Sequence, residues 1–171
     1  TELEELEVSQ ASTLTGLSRL HGLKILKCTN PEFYRLFEKP ESLSNLHSLE
    51  EIDLSANAQL NDLSGLGSLP NLKRLNLSRC NKLTDLRELT HLTGLEELDL
   101  SYIGDLEDVT PLANLKNLKS LNLSHTSAAA GLDEVQALGI PDLKLPASIA
   151  PPAPTEAIHE DDQDEVFEKL I

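Results

Sequence analysis

The chain has no methionine and no tryptophan, and only three phenylalanines and two tyrosines in 171 residues. With leucine dominating what remains, its core has to be aliphatic. Bases are also scarce: 14 Lys and Arg stand against 29 Asp and Glu, for a formal net charge of −15. That balance argues against a nucleic-acid partner, because phosphate binding needs a positive surface. No apolar run approaches the roughly 20 residues a membrane helix requires, so no membrane insertion is expected. No charged-then-apolar leader opens the chain.

The missing chemistry is equally informative. No glycine-rich phosphate loop occurs, and no Ser, Cys or His stands as a nucleophile beside its base. The five histidines, His21, His47, His91, His125 and His159, lack thiolates or carboxylates at ligand spacing. His21 and His47 fall at equivalent turn positions and are expected to stack. No catalytic residue, cofactor or metal is therefore expected, and the chain does not read as an enzyme.

What the chain does have is a phrase that returns: leucine, two variable residues, leucine, one variable residue, another aliphatic. Its starts are Leu3, Leu23, Leu49, Leu72, Leu95 and Leu118, with a weaker copy at Ile140, separated by 20, 26, 23, 23, 23 and 22 residues. A period in this range marks a solenoid. The alternation inside each phrase is that of a β-strand. The second half of each unit steps by three, as in Leu83, Leu86, Leu89, Leu92 and in Leu106, Val109, Leu112, Leu115. That step suits a short helical or 3-10 segment with one apolar edge. No unit can bury its own edges, so stacked neighbours must supply the core.

On these residues the chain resembles the leucine-rich-repeat family over about 1–145, most clearly in Leu72 to Asn81 and Leu95 to Ser101. The phrase Asp108-Val109-Thr110-Pro111-Leu112-Ala113-Asn114-Leu115 is similar to the short, 22–23-residue subclass that includes a phosphatase regulatory subunit and the bacterial internalins. The Ser-Arg-Cys context of Cys80 is also similar to repeat proteins of trypanosomatid parasites. The resemblance implies an α/β class, as a right-handed solenoid with a parallel concave sheet. It also implies a buried ladder position usually filled by Asn. Here that position is Ala11, Pro31, Asn57, Cys80, Ile103 and Thr126, so most turns must satisfy their buried backbone groups by other means.

Strands stacked in register bring equivalent positions about 4.8 Å apart. The first variable column reads Glu4, Lys24, Glu50, Lys73, Glu96, Lys119, and the sign alternates at every step. The next two columns are Glu5, Ile25, Glu51, Arg74, Glu97, Ser120 and Glu7, Lys27, Asp53, Asn76, Asp99, Asn122. Opposite charges on neighbouring strands stabilise the stack, and alternation disfavours a skipped repeat. The same face, with nine acids and five bases over six units, is a polar surface for a protein partner. Its candidate contacts are Glu50, Asp53, Arg74, Asn76, Glu97, Asp99, Tyr102, Asn122 and His125. Arg79, Tyr102 and His125 follow successive strands, one per unit. The Asn-x-Ser sequences at Asn76 and Asn122 fall on strands and are expected to carry no glycan.

Three further features stand apart. Cys28 and Cys80 lie at inward positions at least two strands, roughly 10 Å, apart, beyond disulfide reach. Buried free thiols tilt the reading toward an intracellular, reducing setting. The 26-residue second unit carries Phe33, Tyr34 and Phe37 between Pro31 and Pro40, either as local core or as a binding knob with Tyr34 at its centre. After Leu145 comes a Pro/Ala linker, 146–155, then an acidic segment, 156–171, ending in Val166-Phe167-Glu168-Lys169-Leu170-Ile171. Phe167 and Leu170 would share a face of a short amphipathic helix, expected to dock near Leu132, Val135 and Leu138 or on a partner.

The opening at Thr1, inside a repeat without a polar cap, reads as a fragment of a larger protein or assembly. The functional expectation is a protein-recognition module. A regulatory or targeting subunit of an enzyme complex and a structural part of a large assembly are the alternatives.

Overall fold

The computed structural model describes residues 3–8, 17–29, 43 and 45–147. Tyr34, Phe167 and Leu170, the other aromatics of the second unit, and most of the Pro/Ala linker with the whole acidic segment lie outside these residues. Seven strands form one parallel sheet in chain order. They are β1 (Glu5–Val8), β2 (Ile25–Cys28), β3 (Glu51–Asp53), β4 (Arg74–Asn76), β5 (Glu97–Asp99), β6 (Ser120–Asn122) and β7 (Asp142–Lys144). The weak copy at Ile140 is therefore a true seventh repeat.

The register follows the aliphatic pattern. Leu6, Leu26, Ile52, Leu75, Leu98, Leu121 and Leu143 face one another rung by rung. Leu75, Leu77, Leu98 and Leu100 are buried, while Arg74, Asn76, Glu97 and Asp99 lie on the opposite side of the sheet, half-buried or exposed. A slip of one residue would reverse both sets, so burial fixes the register.

The segments opposite the sheet use the three-residue step. Short 3-10 turns occupy Leu17–Arg19, Leu66–Ser68, Arg87–His91 and Thr110–Asn114. With three residues per turn, positions i and i+3 eclipse. Leu83, Leu86, Leu89 and Leu92 thus point inward together, as do Leu106, Val109, Leu112 and Leu115. The last unit replaces the 3-10 turn with an α-helix, α1 (Leu132–Ala137). Leu132 and Val135 of that helix are buried in the core, and Leu138 is half-buried against it. The acidic segment expected to dock near them lies outside the described residues. Among the described residues no helix is long and apolar enough to cross a membrane.

The departures from the usual ladder residue are met locally. Asn57 is fully buried and donates through Nδ2 to the carbonyls of Cys28 and Leu54. Cys80 turns its Sγ to the Leu54 carbonyl at 3.2 Å, and Thr126 donates through Oγ1 to the Leu123 carbonyl at 2.8 Å. Among the described units, the substitutes Cys80 and Thr126 keep a donor where the turn needs one, and Ile103 only fills space.

Both cysteines are free and buried. Burial pushes each thiol from an ordinary value of 9.0 up to about 12. Two results follow. Neither thiol should react with iodoacetamide in the folded protein at neutral pH, while both should react once it is unfolded. The unfolded thiols ionise first as pH rises, so stability should fall between pH 9 and about 12. Labelling of either cysteine in the folded protein as fast as in the unfolded protein would contradict this.

Candidate functional site

The polar side of the sheet is built from alternate strand positions and has three layers. Strands β3 to β6 enclose a shallow hollow of about 280 Å³, lined by Glu51, Asp53, Arg74, Asn76, Glu97, Asp99, Ser120 and Asn122, with Lys144 from β7. It brings together six of the nine candidate contacts: Asp53, Arg74, Asn76, Glu97, Asp99 and Asn122. Glu50 sits one residue before β3, and Tyr102 and His125 follow the strands on the same side.

The charge columns form ion pairs, but not evenly. Lys24 binds Glu4 and Lys27 binds Glu5, both at 2.8 Å. Arg74 binds Glu51 at 2.8 Å, and Lys119 binds Glu96. Each base reaches back to the unit before it, so units one and two, three and four, and five and six are joined as couples. The fourth unit uses Arg74 from the second column for this, not Lys73 from the first. Hydrogen bonds to Glu4 and Glu5 hold Lys24 and Lys27 above the ordinary lysine value. The Lys119 hydrogen bond holds Glu96 below the usual carboxylate range. Between the sixth and seventh units Ser120 donates to Asp142 at 2.8 Å.

Solvent screens these pairs, and Arg74→Glu should cost no more than about 1 kcal/mol for the lost Glu51 contact. The loss should shrink at high salt, and Lys73→Glu should cost less than Arg74→Glu. Equal losses at both ionic strengths would point to packing in place of charge.

The third column does a job that the sequence columns did not reveal. Asp53 and Asp99 each accept the amide N–H of the serine two residues on, at 2.8 Å. Asn76 and Asn122 accept the equivalent serine N–H at 3.0 and 3.1 Å. Each side chain closes the bend after its own strand, an Asx turn. The signal was present as Asp/Asn-x-Ser in four successive units. It also explains the two Asn-x-Ser sequences, whose amides are engaged: Asn122 donates to Asp99 at 3.2 Å as well.

Beyond each bend one residue takes a left-handed conformation. Ala56, Arg79, Tyr102 and His125 have φ of 61°, 63°, 60° and 61°. They lie 23 residues apart and so stack as a second ladder beside the sheet. Non-glycine residues pay strain there. Backbone bonds between neighbouring rungs offset it: Ala56 N–H to Ser78, Arg79 N–H to Ser101 and Tyr102 N–H to Ser124, at 2.8 to 2.9 Å. The Tyr102 ring stacks on His125 with centroids 4.3 Å apart and planes 13° from parallel. The Arg79 guanidinium lies 4.7 Å from the Tyr102 centroid. Tyr102 thus has the His125 ring stacked on it and the Arg79 guanidinium over it. The order Arg-Tyr-His was legible at 23-residue spacing, but the positive φ that aligns the side chains was not. His21 instead turns Nδ1 toward the Asn45 carbonyl at 3.5 Å, and the stack expected with His47 does not form.

Among the described residues no cluster of His, Cys, Asp and Glu could hold a metal ion. The carboxylates lie on an open strand surface that excludes little water, a poor setting for a tuned acid or base.

A family model of leucine-rich repeats in two copies matches residues 47–91. Among solved structures, an internalin of Listeria monocytogenes matches with 28% identity and a TM-score of 0.64, over 75% of this chain and 36% of that one. Human 5T4, also named trophoblast glycoprotein and Wnt-activated inhibitory factor 1, matches with 25% identity and a TM-score of 0.61, over 80% of this chain and 56% of that one. No curated protein matches the chain by sequence. The seven-strand parallel sheet, its aliphatic ladder and these matches define the fold as a leucine-rich-repeat solenoid, similar to that of the internalin. The chain spans only about a third of that internalin and just over half of 5T4.

Proposed function

We propose that the chain is a protein-recognition module that binds its partner on the strand-lined face from β3 to β6. The observation that carries this reading is the division of the sheet. Every inward position of those strands is aliphatic and buried, and the outward positions are carboxylate, amide, hydroxyl or guanidinium around one hollow. Such a face offers paired charges that can exchange partners beside half-buried amides and carboxylates. Glu50, Arg74 and Glu97 serve as the charged contacts. Asp53 and Asn76 present the free side of their Asx turns, Asp99 and Asn122 present a bonded carboxylate–amide pair, and Tyr102 and His125 form an aromatic rim. Acids outnumber bases on this face, so a complementary partner is a protein surface of mixed charge with an excess of Lys and Arg, not a nucleic acid.

The test uses charge reversal at matched positions. Glu50→Lys with Glu97→Lys alters the face, and Glu88→Lys with Asp105→Lys makes the same charge change away from it. The first pair should weaken capture of the partner by about tenfold or more and leave the melting temperature little changed. The second pair should leave capture intact. Equal effects from both pairs would reduce the interaction to net charge.

A further inference from the structure

We propose that the rung at Ala56 is a receptor for one aromatic side chain of the partner, which completes the planar stack by lying against Arg79. The inference rests on the recognition role proposed for this side of the solenoid and names the chemistry it selects. Three consecutive left-handed rungs carry planar side chains, His125, Tyr102 and Arg79. The fourth rung has the same conformation, φ 61°, and the same bond to its neighbour, but presents only a methyl group. The Arg79 guanidinium lies over the Tyr102 ring, and Arg79 also lines a recess of about 380 Å³ with Ala56, Ala58, Asn81 and Tyr102. The recess thus combines two alanines, a guanidinium and an amide beside an aromatic ring.

Electrostatics selects the occupant. No described carboxylate lies within ion-pair distance of Arg79, which spends its charge on an aromatic ring. A second ring on the other face would meet the same cation with its electron-rich surface. An acidic side chain would also be drawn to Arg79, but a chain of net charge −15 repels an approaching anion. A basic side chain would meet Arg79 as a like charge. A neutral Trp, Tyr or Phe gains the cation–π contact and the two methyls without either penalty. The repeat spacing of about 4.8 Å suits planar groups stacked rung on rung.

The experiment uses the full chain and N-acetyl-tryptophan amide as the probe, with N-acetyl-leucine amide as the apolar control. Titration is followed by NMR at the Ala56 and Ala58 methyls and the Arg79 side-chain N–H. The tryptophan amide should bind weakly and move both methyls upfield by its ring current, while the leucine amide should not. Arg79→Lys keeps the charge and removes the planar guanidinium, and should weaken binding at least about threefold. Ala56→Tyr should fill the rung from within and abolish it. Equal binding of the two amides, unchanged binding to Arg79→Lys, or shifts confined to residues away from Ala56 would overturn the proposal. Those outcomes would leave recognition by the strand face standing, because the Glu50 and Glu97 reversals test that separately.

Discussion

Gly131→Ala is expected to destabilise the last repeat by about 2–5 kcal/mol, a large effect for a single methyl group. Gly131 precedes α1 with φ of 84°, a conformation that an L side chain adopts only under strain. Space is the greater difficulty. A Cβ there would collide with the backbone nitrogen of Thr110, and would lie 2.5 Å from its Cα and 2.7 Å from the carbonyl carbon of Val109. These atoms belong to the start of the 3-10 turn in the preceding unit, which cannot step aside like the end of a long side chain. The backbone is pinned there on both sides: Val109 N–H donates to Ala130, and Ala129 N–H donates to Glu107, each at 2.9 Å. Because a solenoid repeat contacts only its neighbours, the damage should stay local. Hydrogen exchange should show α1 and β7 losing protection while β3 to β5 keep theirs. Uniform loss across the sheet would mean that the array unfolds as one unit.

Asn57→Ala should cost about 2–4 kcal/mol through a different mechanism. The Asn57 amide joins the second unit to the third, giving one N–H to Cys28 and the other to Leu54 at 2.7 Å. Alanine would leave two buried carbonyls competing for donors, with Cys80 Sγ as a weak donor to one of them. Asn57→Asp should be at least as costly, since it keeps the size but loses both donors and buries a charge. Urea denaturation of the three proteins provides the comparison. A loss below about 1 kcal/mol for alanine would mean that water replaces the amide.

These two residues mark what could be read from the sequence. The aliphatic phrase announced strands, register and core, because burial enforces a period of two that any unit displays on its own. Asn57 was legible as a buried ladder residue through the resemblance to leucine-rich repeats. Gly131 was not, since its necessity lies in the distance to the Thr110 backbone, a contact between units that no local pattern encodes. Among the candidate contacts, the sheet positions of Arg74, Asn76, Glu97 and Asp99 followed from alternation. The pairing of charges in couples did not, because Arg74 and Lys73 are equally basic and only side-chain geometry selects Arg74. Likewise Tyr102 could be placed on the face, but its partners depend on a left-handed φ shared by Arg79 and His125.

The central claim is that the partner sits on the strand face. The most direct measurement replaces one exposed residue at a time with the photo-cross-linker benzoylphenylalanine, at Glu97 on β5 and at Glu88 in the 3-10 turn opposite the sheet. After irradiation of the complex, the variant carrying the probe at Glu97 should be covalently joined to the partner, and the variant with the probe at Glu88 should not. Cross-links from Glu88 alone would put the partner on the other side of the solenoid and contradict the account.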